Sequence, residues 1–454
     1  MKTQNLLSRS LVAGACFAGG LFAAHTTNAQ QVGDVFVIAM ENHNWTQPNG
    51  NVNNSSSTIE QIKGNGAAPF INSLINGTAS ATINGTTTNI SQQTAYTDSY
   101  YNVMANAGST VSIHPSEPNY IWSEAGTNFG VLNDNQPYGT GGTNQNTNAH
   151  LTSLMNSAGV SWKSYQEEVD LVPNSGGINN PGSNSLTNTV AAQSQWTSPI
   201  VNFSGTSASY TNQYNGSHQY NYAVKHNPME FFTDTNGGNN LTTSNPARLN
   251  YAPLEQLQLD LNNNAASRYN WITPDQYNDM HTQLTGGFTY GGTHYTGDAA
   301  MIAQGDNFLS IIVPQIMASQ AYQNNGAIVI WMDESEPQNG SDTLSNDFNH
   351  TLMEIVISPL AHPNVNGLPF DSAVAYTHSS DLKTWQELFG LDATSVAGQQ
   401  FLGDANTAGT NDLSGLFQAG AVSPVPEAST TSVAVCALLL GVCMLRARQR
   451  RQTA

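Results

Sequence analysis

The chain has 454 residues, with 31 Asp and Glu against 12 Lys and Arg, a formal charge of −19. That balance excludes a nucleic-acid partner, because phosphate-backbone binding needs clustered basic side chains. With 39% hydrophobic residues the chain can bury a real core, and its length allows one large domain or two or three average ones.

The N-terminus places Lys2 and Arg9 before an apolar run over 11–24 and a polar "HTTNA". This is the pattern of a secretory signal peptide, residues 1–29, cut after Ala29 or Ala24. The run is too short to span a bilayer. The body, 30–420, then keeps six basic residues: Lys63, Lys163, Lys225, Arg248, Arg268 and Lys383. An anionic substrate would need a local positive centre such as a metal. Cys16 lies in the leader and Cys436 and Cys443 in the tail. The body can therefore form neither a disulfide framework nor a thiolate zinc site.

Along the body, "VFVIAM" (Val35–Met40) predicts a buried strand that breaks off in Glu41 and Asn42. Residues 67–74 predict a helix, and "INGT", at Ile75 and again at Ile83, a small hairpin. Residues 150–158 predict a helix before the strand "GVSWKSY", and 306–323 an amphipathic helix. "GAIVIWM" (326–332) predicts a second buried strand, ending in Asp333 and Glu334, and "TLMEIVISPL" a third. Polar insertions at 47–58, 126–147, 172–215 and 233–247 read as surface excursions or binding loops around one core. Apolar strands alternating with helices predict an α/β fold with a mostly parallel sheet covered on both faces. Ligands in such sheets sit beyond the carboxyl ends of the strands.

If the two acid-terminated strands are parallel neighbours, Glu41, Asn42, Asp333 and Glu334 meet at one sheet edge. Carboxylates at close range raise one another's pKa unless a cation neutralises them, which points to a divalent metal. Oxygen ligands without Cys favour Ca²⁺, Mg²⁺ or Mn²⁺, with zinc still open. In "HPSEPNY" two prolines bracket Ser116 ahead of a helix start, and a metal-lowered pKa would activate that hydroxyl. The motifs "YAVKHNP", "TPDQYNDMH", "FNH" and "YTHSSD" add histidines in polar settings suited to acid or phosphate-binding roles.

The C-terminal segment, 421–454, holds "VPEAS", an apolar stretch and a basic cluster. It reads as a plain membrane anchor, and it also resembles the PEP-CTERM signal recognised by exosortases of Gram-negative bacteria. Ala428 stands where that signal usually has a second proline. Either way the body is expected to be exported to the periplasm, envelope or extracellular matrix, with transient membrane association through the tail.

Nine stretches in order, from "VFVIAMENHNW" to "YTHSSDLKTWQELFGL", resemble the phosphoesterase family of acid phosphatases and phospholipases C, within the alkaline phosphatase superfamily. They cover about residues 33–391. The resemblance implies a three-layer α/β/α sandwich, alkaline phosphatase-like, and a hydrolase acting on phosphoric esters. It implies one divalent metal on Glu41, Asn42, Ser116, Asp333 and Glu334, with Ser116 as nucleophile and ligand. It further implies catalytic roles for His226, Asp279, His281 and His350, and substrate binding by His114, Asn119 and Lys225. The expected substrate is a small phosphoester or a phospholipid head group. "ENHNW" and "HPS" replace the "ENRSFD" and Gly-Pro-Ser/Thr usual in phospholipases C, which favours phosphomonoesters. A phospholipase C and a non-catalytic matrix protein on the same fold are the rival readings.

Overall fold

The computed structural model describes residues 30–54, 58–104, 111–336 and 349–422. The expected signal peptide lies outside the described residues, as does nearly all of the expected sorting tail. Among the described residues no helix is long and apolar enough to cross a membrane.

An eight-stranded sheet forms the centre: β1 (Val35–Met40), β2 (Thr94–Thr97), β3 (Trp162–Gln166), β4 (Tyr251–Pro253), β5 (Tyr269–Thr273), β6 (Ala327–Met332), β7 (Glu354–Ile357) and β8 (Phe370–Ser372). Their spatial order is β4-β3-β5-β1-β6-β7-β2-β8. β4, β3, β5, β1 and β6 run parallel, and β7 is antiparallel to both its neighbours. The third strand expected from sequence is thus present but reversed. An apolar run buried on both faces reads the same in either direction, so periodicity could not give its sense.

Helices α1 (Pro69–Asn76), α4 (Leu254–Asn262) and α5 (Asp298–Met317) pack together on one side, and α2 (Ser116–Ala125), α3 (Leu151–Ala158) and α6 (His378–Phe389) on the other. The fold is an α/β sandwich around a mixed, mostly parallel sheet. Every side chain of β1 and β6 is buried, as expected of central strands covered on both faces. The second "INGT" makes the turn of a hairpin, Ser80–Ile83 with Thr86–Asn89, and Asn84 and Gly85 take positive φ there. The first copy instead ends α1, with Gly77 in the left-handed cap.

The helix expected over 306–323 begins earlier, at Asp298, and stops at Met317 before a short turn of helix, Gln320–Gln323. Gly305 and Gln304 interrupt its apolar pattern, which hid the first two turns. A Cβ on Gly305 would stand 2.3 Å from Met280 Cγ and 2.8 Å from Met40 Cε. Glycine there lets α5 lie against the segments that leave β1 and β5.

Asp306 on α5 caps a neighbouring helix. Its Oδ2 accepts from Phe70 N (2.9 Å) and its Oδ1 from Ile71 N (2.7 Å), at the start of α1, whose own N-cap residue makes no side-chain cap. Burial pushes the Asp306 carboxyl up to about 7, and burial does the same to Asp170. Between the ordinary carboxyl value, about 4, and 7 the native state binds these protons and the unfolded chain does not. Their stabilising contribution is complete below pH 4 and lost as pH rises through 7. The thermal midpoint should therefore be higher at pH 5.5 than at pH 8 in differential scanning calorimetry. Asp306→Asn should flatten that difference by on the order of 2 °C.

Candidate active site

The parallel strands deliver the site. Met40 and Met332 stand opposite one another in register, so Glu41 and Asp333 leave the sheet side by side. Glu41 N donates to Asp279 O (2.8 Å), which ties the segment after β5 to the end of β1. Asn42 turns with φ 56°, and Met280, between Asp279 and His281, with φ 88°. The left-handed region is costly for Met, and this one places Asp279 and His281 on the same cluster.

Ser116 is the first residue of α2 and is buried. Its Oγ donates to Glu41 Oε1 and lies 3.0 Å from Glu334 Oε1. Lys225 Nζ reaches Glu41 Oε1 (2.9 Å), Asp134 Oδ2 (3.1 Å) and Ser116 Oγ (3.3 Å). Burial opposes the charge on Lys225, yet Glu41 and Asp134 hold its pKa above the usual lysine value, so it remains an ammonium. The Asp333 carboxylate accepts backbone N–H bonds from Asn42 (2.9 Å) and Glu334 (2.6 Å) on one oxygen only.

His226 lies between Glu41 Oε2 and Asp279 Oδ2, the latter at 3.1 Å, and stacks on Tyr120 with centroids 5.1 Å apart. The His226 contact with Glu41 Oε2 is close but lacks hydrogen-bond geometry. Glu41 Oε2, Asn42 Oδ1, His226 Nε2, Asp279 Oδ2 and Asp333 Oδ2 are all buried without a hydrogen-bond partner. Burial raises the pKa of Asp333, Glu334 and Asp279, and Glu41 raises all three further; against its own burial, Glu41 is held well below the carboxylate range by His226, Lys225 and His281. Unpartnered buried oxygens and a ring nitrogen gathered at these strand ends are groups that a divalent cation would satisfy.

The sequence groups Glu41, Asn42, Ser116, Asp333 and Glu334 as ligands, and the structure brings these five together. It adds a tighter donor group, Glu41, His226 and Asp279, with ligand atoms within 4.8 Å of one another. His226 and Asp279, expected to act on the substrate, thus lie among the groups that could hold a cation. His114 and Asn119, expected at the substrate, instead turn onto Glu334. His114 Nδ1 is 2.7 Å and Asn119 Nδ2 3.1 Å from Glu334 Oε2. His281 sits at the rim, its side chain 29% exposed and its Nε2 3.8 Å from Glu41 Oε1. His350 is buried beside Thr351, whose backbone pairs with Thr46 and Tyr101.

Sequence reasoning missed Asp134, Tyr120 and the role of His378. Asp134 falls in the polar insertion 126–147, where nothing marks one acid among the Asn and Gly. His378 Nε2 lies 2.5 Å from the Asp333 carbonyl, and burial pushes its pKa down to about 3, so the ring is neutral and holds the strand end as a donor.

A model of the phosphoesterase family matches residues 22–392. The chain belongs to that family. Its members are hydrolases acting on phosphoric ester bonds. A probable acid phosphatase from Kluyveromyces lactis is 25% identical over 171 residues, 37% of this chain and 30% of the relative. The chain thus aligns with less than a third of that relative's length. Among solved structures, the lipoteichoic acid synthase LtaP from Listeria monocytogenes is similar with a TM-score of 0.38 at 9% identity, over 83% of this chain and 75% of that one. A protein in the alkaline phosphatase superfamily from Vibrio parahaemolyticus is similar with a TM-score of 0.37 at 8% identity, over 80% and 68%.

Glu41 accepts from Ser116 and Lys225 and faces His226, so its loss should be felt throughout the site. In Glu41→Gln, divalent metal retained after dialysis should fall by one equivalent per chain, measured by mass spectrometry of the metal content. Lys225→Ala should keep the metal and lower phosphoester turnover by roughly 10- to 100-fold, the scale of one preorganised electrostatic contact.

Proposed function

We propose that this protein is an exported, metal-dependent phosphatase that hydrolyses phosphomonoesters through a phosphoserine on Ser116. The observation that carries the reading is the placement of the Ser116 hydroxyl at the start of a ten-residue helix, between Glu41 and Glu334 and 3.3 Å from the Lys225 ammonium. A hydroxyl held against two carboxylates can lose its proton. The helix start and the ammonium favour an incoming phosphate.

In this reading Ser116 Oγ attacks phosphorus as the bond to the leaving oxygen breaks. The Ser116 proton passes to Glu334, whose Oε1 lies 3.0 Å from the Ser116 hydroxyl. Lys225 pairs with the phosphoryl oxygens, and His281, part-exposed at the rim, gives a proton to the departing alkoxide. Water then attacks the phosphoserine in line as the bond from phosphorus to Ser116 Oγ breaks, giving a proton to the now neutral His281, while Glu334 returns its proton to Ser116. When bound, a divalent cation on Glu41, Asn42, Asp333 and Glu334, with His226 and Asp279 beside them, would supply charge neutralisation for the phosphoryl group.

The preference for monoesters rests on "ENHNW" and "HPS". Export, and hand-over to exosortase-type machinery, rest on the leader and tail sequences together with a cysteine-free body.

The decisive assay is hydrolysis of p-nitrophenyl phosphate and bis-p-nitrophenyl phosphate by the full chain. Expected is faster turnover of the monoester, abolished by a chelator and lowered by roughly 10³-fold or more in Ser116→Ala. Acid-quench labelling should trap phosphate on the parent chain and none on the variant. A diester preference would move the reading to a phospholipase C. An unaffected Ser116→Ala would end it.

A further inference from the structure

A second set of donors converges beside the candidate active site and takes no part in the chemistry above. We propose that His43, Asp298 and Glu336 form a separate cation site for a divalent transition ion of the Zn²⁺ or Mn²⁺ class. One donor atom from each residue lies within 4.8 Å of the other two.

His43 is 1% exposed and its Nε2 stands 3.3 Å from Asp298 Oδ1. That contact is an ion pair, and neither ring nitrogen meets strict hydrogen-bond geometry among the described residues. Here the ring faces the carboxylates without that geometry, which is the arrangement of a ligand set converging on a point between its members.

Local hydrogen bonds fix the Asp298 carboxylate and the Glu336 backbone beside the ring. Asp298 Oδ2 accepts from Glu60 N (2.7 Å), and its Oδ1 is the oxygen that faces His43. The backbone of Glu336 is held on both sides by Asn44, whose Oδ1 accepts from Glu336 N (3.0 Å) and whose Nδ2 donates to Glu336 O (3.2 Å). One imidazole and two carboxylates leave coordination positions for water and suit Zn²⁺ or Mn²⁺ better than Ca²⁺, which prefers an all-oxygen shell.

The three donors come from the loop after β1, the first residue of α5 and the segment after β6. The first and third of these segments carry Glu41 and Asp333 into the active site. An ion here would pin both strand ends to α5 and hold the catalytic carboxylates at their spacing. The role is positional, since none of the three residues touches Ser116 in the contacts described above.

The test counts ions on the full chain. Metal-free protein is titrated with Zn²⁺ by calorimetry, alongside His43→Gln, Asp298→Asn and Glu41→Gln, with circular dichroism verifying each fold. Expected is one equivalent fewer in His43→Gln and in Asp298→Asn than in the parent chain. Combining His43→Gln with Glu41→Gln should remove two equivalents, because the ions are distinct. An equivalent count in the parent, His43→Gln and Asp298→Asn would overturn the site and leave a buried His43–Asp298 ion pair. If His43→Gln does not fold, the isosteric Asp298→Asn carries the same decision. An unchanged count in Glu41→Gln beside a loss in Asp298→Asn would support this site while counting against the active-site ion.

Discussion

Like charges brought together away from water are what this structure must resolve. β1 and β6 are register neighbours in the middle of the sheet, and each ends in a buried acid. Glu41, Asp333, Glu334 and Asp279 thus share a volume from which solvent is excluded. Burial of unpaired carboxylates costs several kcal/mol each, and mutual repulsion adds to it. The protein offsets part of that cost with the Lys225 ammonium, the His226 ring and backbone N–H donors. The remaining unpartnered oxygens are what a cation would satisfy.

Much of the surrounding architecture serves that volume. α2 brings Ser116 to it and is held from behind by a second apolar cluster, in which Ile121 packs with Leu171, Tyr220 and Phe232. The polar insertion 172–215 adds Leu186, Phe203 and Tyr210 to the same cluster. That insertion is therefore more than surface decoration, because Phe203 and Tyr210 fold inward into the cluster that backs α2. The insertion 126–147 contributes Asp134, which completes the cage around Lys225 and also accepts from Glu117 N (3.0 Å) at the start of α2.

The sequence made legible what depends on short-range pattern. "VFVIAM" and "GAIVIWM" read as buried strands because every position is apolar, and the acids at their ends stand out for the same reason. The two proline-flanked positions around Ser116 marked a stiff turn before a helix, and α2 begins there. What depends on three-dimensional return of the chain was not legible. Lys225 and His226 sit in "YAVKHNP", where nothing local says that both face Glu41, 184 and 185 positions away. Asp134, Asp298 and Glu336 are ordinary polar residues until the sheet order brings their loops together. The reversed sense of β7 belongs to the same class, since direction is a property of topology and not of periodicity.

The acidity of the chain and the chemistry of its site are then parts of one arrangement. A body with so few basic residues repels a phosphate dianion at long range, so recognition must happen at contact distance. In the proposed reading, four buried carboxylates set against the Lys225 ammonium, the His226 ring and a bound divalent ion would leave the site close to neutral. Such a site binds a ground-state dianion weakly. Its donors are fixed around the Ser116 hydroxyl, so they would act most strongly on a phosphoryl group held in line between that hydroxyl and the leaving oxygen. The same negative surroundings favour departure of inorganic phosphate once it is formed, because the product regains its full charge and meets acids on every side. An acidic frame around a small positive centre would therefore trade substrate capture for turnover.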